Sequence, residues 1–209
     1  MKKIEQENSK ERILATATKL FGQKGYSAVS IREICKKANV NICMISYYWG
    51  GKQELYNAIV EELVAMHTRY AETFMDFSKE PEALSRKEQV DLLMLMLDKF
   101  IDFFYANITN DLLIFLIKEQ QASDFKAIIP PAVSYLRKLL ACILNKKEND
   151  KEIIYKTLFI LAQINSPRIL PVLSLRPLGQ DEFTQEDISI VKNNVKFYVN
   201  AILKEVKID

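Results

Sequence analysis

The side chains with most chemistry to offer lie close together in one short stretch. Asn41 and Ser46 can hydrogen-bond base edges or phosphates, and Ile42 and Met44, if exposed, offer the apolar contact that a thymine methyl accepts. Cys43 shares that face as a small apolar filler. Tyr47 and Tyr48 carry phenols that donate to phosphate oxygens. Lys52, at the start of the next helix, adds its ammonium to that helix's open amides and positive dipole end, a combination that holds phosphate. Ser30 and Arg32 stand at the N-terminus of an earlier helix, where a nucleic-acid backbone could pass; an exposed arginine beside Glu33 needs no such role. Lys2, Lys3, Lys10 and Arg12 add nonspecific attraction to DNA or are simply a solvated terminus.

Other chemistries find little support. The single histidine, His67, makes neither a metal site nor a catalytic triad by itself, and there is no GxSxG, P-loop or metal-ligand cluster. No enzyme activity and no cofactor are therefore expected. Three cysteines, Cys35, Cys43 and Cys142, lack CxxC spacing, which supports neither a disulfide framework nor a zinc site and suits a reducing cytoplasm. The first twenty residues contain no signal-peptide core, and no uncharged run approaches the ~20 residues that span a bilayer, so a soluble protein without a membrane partner is expected.

The elements that position these residues are helical. Ile13, Leu14, Ala17, Leu20 and Phe21 make an amphipathic stripe from Ser9 onward, stopped by Gly25. Ser30-Ile-Arg-Glu33 matches a capping box, in which the serine oxygen accepts from the N3 amide and the glutamate reaches back to the cap's own amide. Ile31, Ile34, Cys35 and Ala38 continue that helix, Asn39-Val40-Asn41 makes a tight turn, and Asn41 caps a second short helix ended by Gly50-Gly51. Two short helices around a three-residue turn fit a helix-turn-helix, whose second member lies in the major groove. Asn41, Ile42, Cys43, Met44 and Ser46 then face outward, while Ile45 and Trp49 pack inward. The alternative places Ile42 and Met44 in the core, although Ile34, Val40, Ile45 and Trp49 already supply its apolar side.

The remainder reads as a second, larger helical domain. Leu55, Ile59 and Leu63 line a connecting helix from Lys52 to about Tyr70, and Ser78–Glu88 reads as a loop. LLMLMLDKFIDFFYANI and DLLIFLIKEQ are apolar on nearly every side, as helices enclosed in a bundle are. Pro130-Pro131 opens another helix, Lys151–Ile164 forms the next, and SPRILPVLSLRPLGQDEF cannot be a continuous one. A last helix begins at Thr184, where Ile188, Val191, Val195, Tyr198 and Ile202 form a heptad-like seam suited to pairing in a four-helix interface. Phe100, Phe103, Phe104, Phe115 and Phe159, with Tyr105, could line a cavity for a small apolar or aromatic effector; for any one of them, core packing is the plainer reading. Residues 1–60 hold ten Lys/Arg against five Asp/Glu, a basic bias that suits a polyanionic partner, although the whole chain is only +2.

The stretch SIREICKKANVNICMISYYWGGKQELYNAIV, with ILATATKLFGQKGYSAVSI before it, resembles the DNA-binding domain of the tetracycline-repressor (TetR) family over about residues 9–60. The turn, the aromatic pair, and Lys52 followed by Glu54-Leu55 agree in order and spacing. The resemblance implies an all-α homodimer: three N-terminal helices reading double-stranded operator DNA, and about six C-terminal helices forming an effector cavity and dimer interface. The corresponding boundaries are 1–51 for the helix-turn-helix domain and 52–209 for the effector-binding and dimerisation domain, with 52–70 as connecting helix and lever. Two departures stand out. Family members usually carry Tyr-Tyr-His-Phe where this chain has Ser46-Tyr47-Tyr48-Trp49, so the phosphate contact of the histidine passes to Tyr48 or is lost, and Asn39 stands where glycine is common. The expected function is ligand-responsive regulation, usually repression, at a palindromic operator. A helix-turn-helix adaptor acting through protein contacts is the alternative, distinguished by binding that does not fall with salt.

Overall fold

The computed structural model describes residues 2–120 and 129–204; the side chains of residues 2–8, with the proposed roles of Lys2 and Lys3, lie outside that description. Among the described residues the chain is all-helical, as expected, with nine α-helices: α1 (Lys2–Lys24), α2 (Ile31–Ala38), α3 (Cys43–Trp49), α4 (Lys52–Glu72), α5 (Arg86–Asn107), α6 (Asn110–Gln120), α7 (Pro131–Ile143), α8 (Lys151–Ile169) and α9 (Gln185–Lys204). Two short 3-10 turns, Pro81–Ala83 and Arg176–Leu178, interrupt the longer connections. No single helix among these is long and apolar enough to cross a membrane.

Local chemistry accounts for most helix ends. Gly25, at φ 80°, stops α1, its amide donating to Phe21 O at 2.8 Å. Asn39 takes the left-handed conformation that closes α2, which asparagine tolerates better than most residues. Pro131 opens α7, where a missing amide proton is harmless. Ser85 and Glu88 bond reciprocally before α5, and Thr184 and Asp187 do the same before α9. Two ends differ from expectation. The first helix begins at Lys2 because lysine, glutamate and glutamine are good helix formers. In addition, α8 runs through Pro167 to Ile169: the proline sits in the last turn, where its missing amide forfeits one backbone bond.

The described chain divides into two compact units, Met1–Met66 with Ile108–Ile128, and His67–Asn107 with Ile129–Asp209. In the first, α1 packs on α2 and α6 around Ile13, Leu20, Phe21, Ile34, Ile45, Leu55 and Phe115, all essentially buried. Tyr26 and Tyr56 stack edge to face at 5.0 Å, and Tyr56 meets Phe115 at 5.3 Å. The second unit packs α5 and α8 against α7 and α9 around Leu93, Met96, Leu136, Leu140, Ile160 and Val195. There Lys192 bridges Asp98 (3.2 Å) and Asp102 (2.7 Å), which tie α9 to α5 and hold its ammonium above the ordinary lysine value despite partial burial.

Candidate nucleic-acid interface

The first unit presents α2, the following turn and α3 as one surface. Ser30 takes an extended backbone, and its Oγ accepts from Glu33 N at 3.1 Å, which is half of the expected capping box. The other half is absent. Glu33 turns instead to Lys24 (2.6 Å) and Lys37 (3.7 Å), whose charges outbid a neutral amide and hold its carboxyl below the usual glutamate range. Val40 N then donates to Cys35 O at 3.0 Å, so the chain turns tightly into α3.

Ile42, and not Asn41, occupies the N-cap position of α3, but Asn41 just before it still satisfies the first turn, its Oδ1 accepting from Cys43 N at 2.9 Å. Asn41, Ile42, Cys43, Ser46 and Tyr47 are exposed, Tyr47 to 70 %. Ile45 is fully buried, and Trp49 is half-buried against the same core, as their four-residue spacing predicts. Met44 is the exception within the outward set: it is half-buried and packs on the core, because one turn of α3 cannot point Ile42, Cys43 and Met44 the same way. Ser30, Arg32, Ile42, Cys43 and Ser46, with Ile31, surround a single concavity of about 510 Å³. Residues distant by sixteen positions are thereby brought to one site.

Two cations are held by aromatic rings. The Lys52 ammonium lies 4.2 Å from the Tyr26 ring centroid, and burial pulls its pKa down. Lys10 lies 5.9 Å from the Trp49 ring, beside Tyr48, whose ring meets Tyr47 at 5.2 Å and Trp49 at 5.4 Å. Sequence reasoning misses Tyr26. Its distance from Lys52 along the chain carries no periodic signal, and only the packing of α4 against the turn after α1 joins them.

A profile of the bacterial regulatory proteins of the tetR family matches residues 13–59, the whole of this surface. The Probable HTH-type transcriptional regulator YttP of Bacillus subtilis (strain 168) is 30% identical over 215 residues, covering 96% of this chain and 91% of that protein. This chain belongs to the TetR family. The HTH-type transcriptional dual regulator CecR of Shigella flexneri is 26% identical, covering 96% of this chain and 94% of the relative. Among solved structures, the fold is shared with HlyIIR, a hemolysin II transcriptional regulator (TM-score 0.57, 21% identity, 90% of this chain and 97% of that one). It is also shared with the TetR-family regulator PfmR from Thermus thermophilus (TM-score 0.60, 17% identity, 90% and 97%). The TetR-family chain is a DNA-binding transcriptional regulator.

In this TetR-family chain the candidate effector residues divide. Phe100 and Phe103 are buried in the second unit, their rings 5.0 and 4.9 Å from that of His67. His67 is 9 % exposed, its Nδ1 has no hydrogen-bond partner, and burial drives its pKa down to about 4, so the imidazole is neutral at physiological pH. Phe104 is half-buried under the Arg168 guanidinium, which lies 5.0 Å from its ring and donates to its carbonyl at 2.7 Å. Phe115 and Phe159 lie apart from these rings. Phe115 is buried in the first unit's core against Phe21 and Tyr56, and Phe159 is 53 % exposed on α8 beside Tyr155. For α5 and α6, helices apolar on nearly every side give no direction by which sequence alone could separate these roles.

The candidate dimer seam packs inside its own unit. Val191, Val195 and Ile202 are buried within their own unit, with Ile188 and Tyr198 packed against them, because a heptad seam serves an intramolecular neighbour as readily as a partner. The apolar side chains that α9 leaves exposed are Ile190 and Phe197, the latter 77 % exposed, while α8 exposes Ile154, Tyr155, Leu158 and Phe159.

Proposed function

We propose that this chain is a ligand-responsive repressor that binds an approximately palindromic operator as a cytoplasmic homodimer. The observation that carries the reading is the convergence of Ser30, Arg32, Ile42, Cys43 and Ser46 on one concavity at the exposed face of a helix-turn-helix. Asn41 and Tyr47 extend this surface. Lys52, Tyr47 and Tyr48 supply phosphate contacts that set the register of α3, Tyr48 standing where the family usually has histidine. The boundary near residues 51–52 separates the reading domain from the effector and dimerisation domain, and α4, which contributes residues to both compact units, couples them.

The effector in this proposal is a small apolar or aromatic molecule held by Phe100, Phe103 and Phe104 with His67, whose neutral imidazole has an unsatisfied nitrogen to offer a polar group. Dimerisation uses the exposed apolar chains of the packed helices α8 and α9, since exposed apolar surface of this kind commonly marks an interface. The test is selection of bound sequences from a random duplex pool by the purified protein at two salt concentrations, repeated with Lys52→Ala. A palindromic motif is expected, with affinity falling steeply as salt rises, and with Lys52→Ala weakening all sequences and lowering the salt slope by about two, one for each protomer's lost phosphate contact. Binding without an enriched motif and insensitive to salt would overturn the reading.

A further inference from the structure

The surface that enters the groove is unusual in what it lacks. Between Lys37 and Lys52 the chain has no charged residue, so α3 and the turn before it carry neither a cation nor a carboxylate. In the major groove guanine is best met by arginine or lysine at O6 and N7, and the cytosine amino group by a carboxylate; a thymine is marked by its C5-methyl, which only an apolar side chain recognises. Within α3 and the turn before it, discrimination by hydrogen bonding is therefore left to Asn41 and Ser46, since Tyr47 serves as a phosphate contact. Asn41 has already committed its amide oxygen to Cys43 N at 2.9 Å, which leaves its NH2 to donate.

Apolar surface is what remains at the centre of the face. Ile42 is 45 % exposed and Cys43 is exposed, and both line the concavity with Ser30, Arg32 and Ser46. Met44 and Ile45 turn onto the core and leave these two as the apolar readers. A branched side chain held in water at the end of a short helix gains most where it covers another apolar group.

We propose that Ile42, flanked by Cys43, reads a thymine methyl, so that each operator half-site is rich in A·T pairs beneath α3 and presents a thymine C5-methyl to the concavity. Among the residues that line the concavity, guanine recognition is left to Arg32. The inference rests on the reading of this chain as an operator-binding regulator, and deepens it by naming the base.

The probe is the duplex that the full-length protein itself selects from random DNA, remade with single thymines replaced by deoxyuridine, which removes only the methyl. At one position in each half-site the replacement should weaken wild-type binding about fourfold per methyl, the value for one buried carbon. Replacing that T·A pair by 5-methylcytosine·G, which restores a methyl at the same place, should bind more tightly than cytosine·G. Ile42→Ala should bind the thymine and uracil duplexes alike, whereas Ile42→Val should retain the discrimination; retained nonspecific affinity shows that both variants are folded. A selected half-site without thymine, no effect of uracil at any position, or undiminished discrimination in Ile42→Ala would overturn the methyl reading while leaving operator binding intact. No enriched motif at all would instead bring down the regulator reading on which it rests.

Discussion

A lysine confined above an aromatic ring meets a phosphate with fewer rotamers left to lose. Lys52 is so confined, 4.2 Å from the centroid of Tyr26, and the ring leaves other faces of the ammonium open to an anion. Tyr26→Leu should therefore weaken operator binding roughly two- to fivefold per half-site, the range for an exposed cation–π pair of about 0.5–1 kcal/mol. Tyr26→Phe should leave binding unchanged. In a Lys52→Ala background the leucine change should have no further effect, which equilibrium anisotropy titrations of all four proteins would show. Additive losses would mean that Tyr26 acts only through the core it shares with Phe21 and Tyr56.

Between elements, α1 and α6 come close together at Gly22. A Cβ at Gly22 would lie 3.0 Å from Asp111 O and 3.2 Å from Phe115 N, both backbone atoms that cannot swing aside. Lys118 adds a bond from α6 to Gln23 O at 2.9 Å. Gly22→Ala should force the two helices apart and destabilise the protein by about 1–3 kcal/mol, as overpacking does, despite alanine's better helix propensity. Denaturant unfolding of the variant measures it, and an unchanged or raised midpoint would show that the helices yield without loss. Gly25, one turn away, meets nothing within 4 Å; there the left-handed backbone is the reason for glycine.

For the whole molecule, the consequence lies in assembly. Two recognition helices must meet successive major grooves, so a monomer gives up most of its specific affinity. Tyr155→Asp with Phe197→Asp places charges on the exposed faces of α8 and α9 without touching the buried seam of Val191, Val195 and Ile202. Sedimentation of this variant should show a folded monomer with operator affinity lowered roughly tenfold or more, as loss of the second linked contact requires, each single change giving an intermediate association constant. A dimer undisturbed by the pair would place the interface elsewhere on the surface.

Much of this was already written in the residue order. The cap at Ser30, the asparagine turn, the outward placement of Asn41 and Ser46 and the start of α4 at Lys52 all follow from local bonding and helical period, which act over a few residues. The division of α3 into Ile42 and Cys43 outside and Met44 inside was not legible, since it depends on how that short helix is rolled against Ile34 and Leu55. Nor was the destination of the apolar seam on α9. A helical repeat says that one face is buried, but whether its own bundle or a second chain buries it depends on which neighbours arrive first in space, and here α5 and α8 do. The same holds for Phe115, whose helix α6 is apolar over most of its surface, and for Phe159, which the helical period of α8 leaves beside both buried Ile160 and exposed Leu158. Short-range chemistry thus determined the helices and the reading surface from sequence alone, while contacts between residues far apart in the chain decided which apolar faces remained for a partner or a ligand.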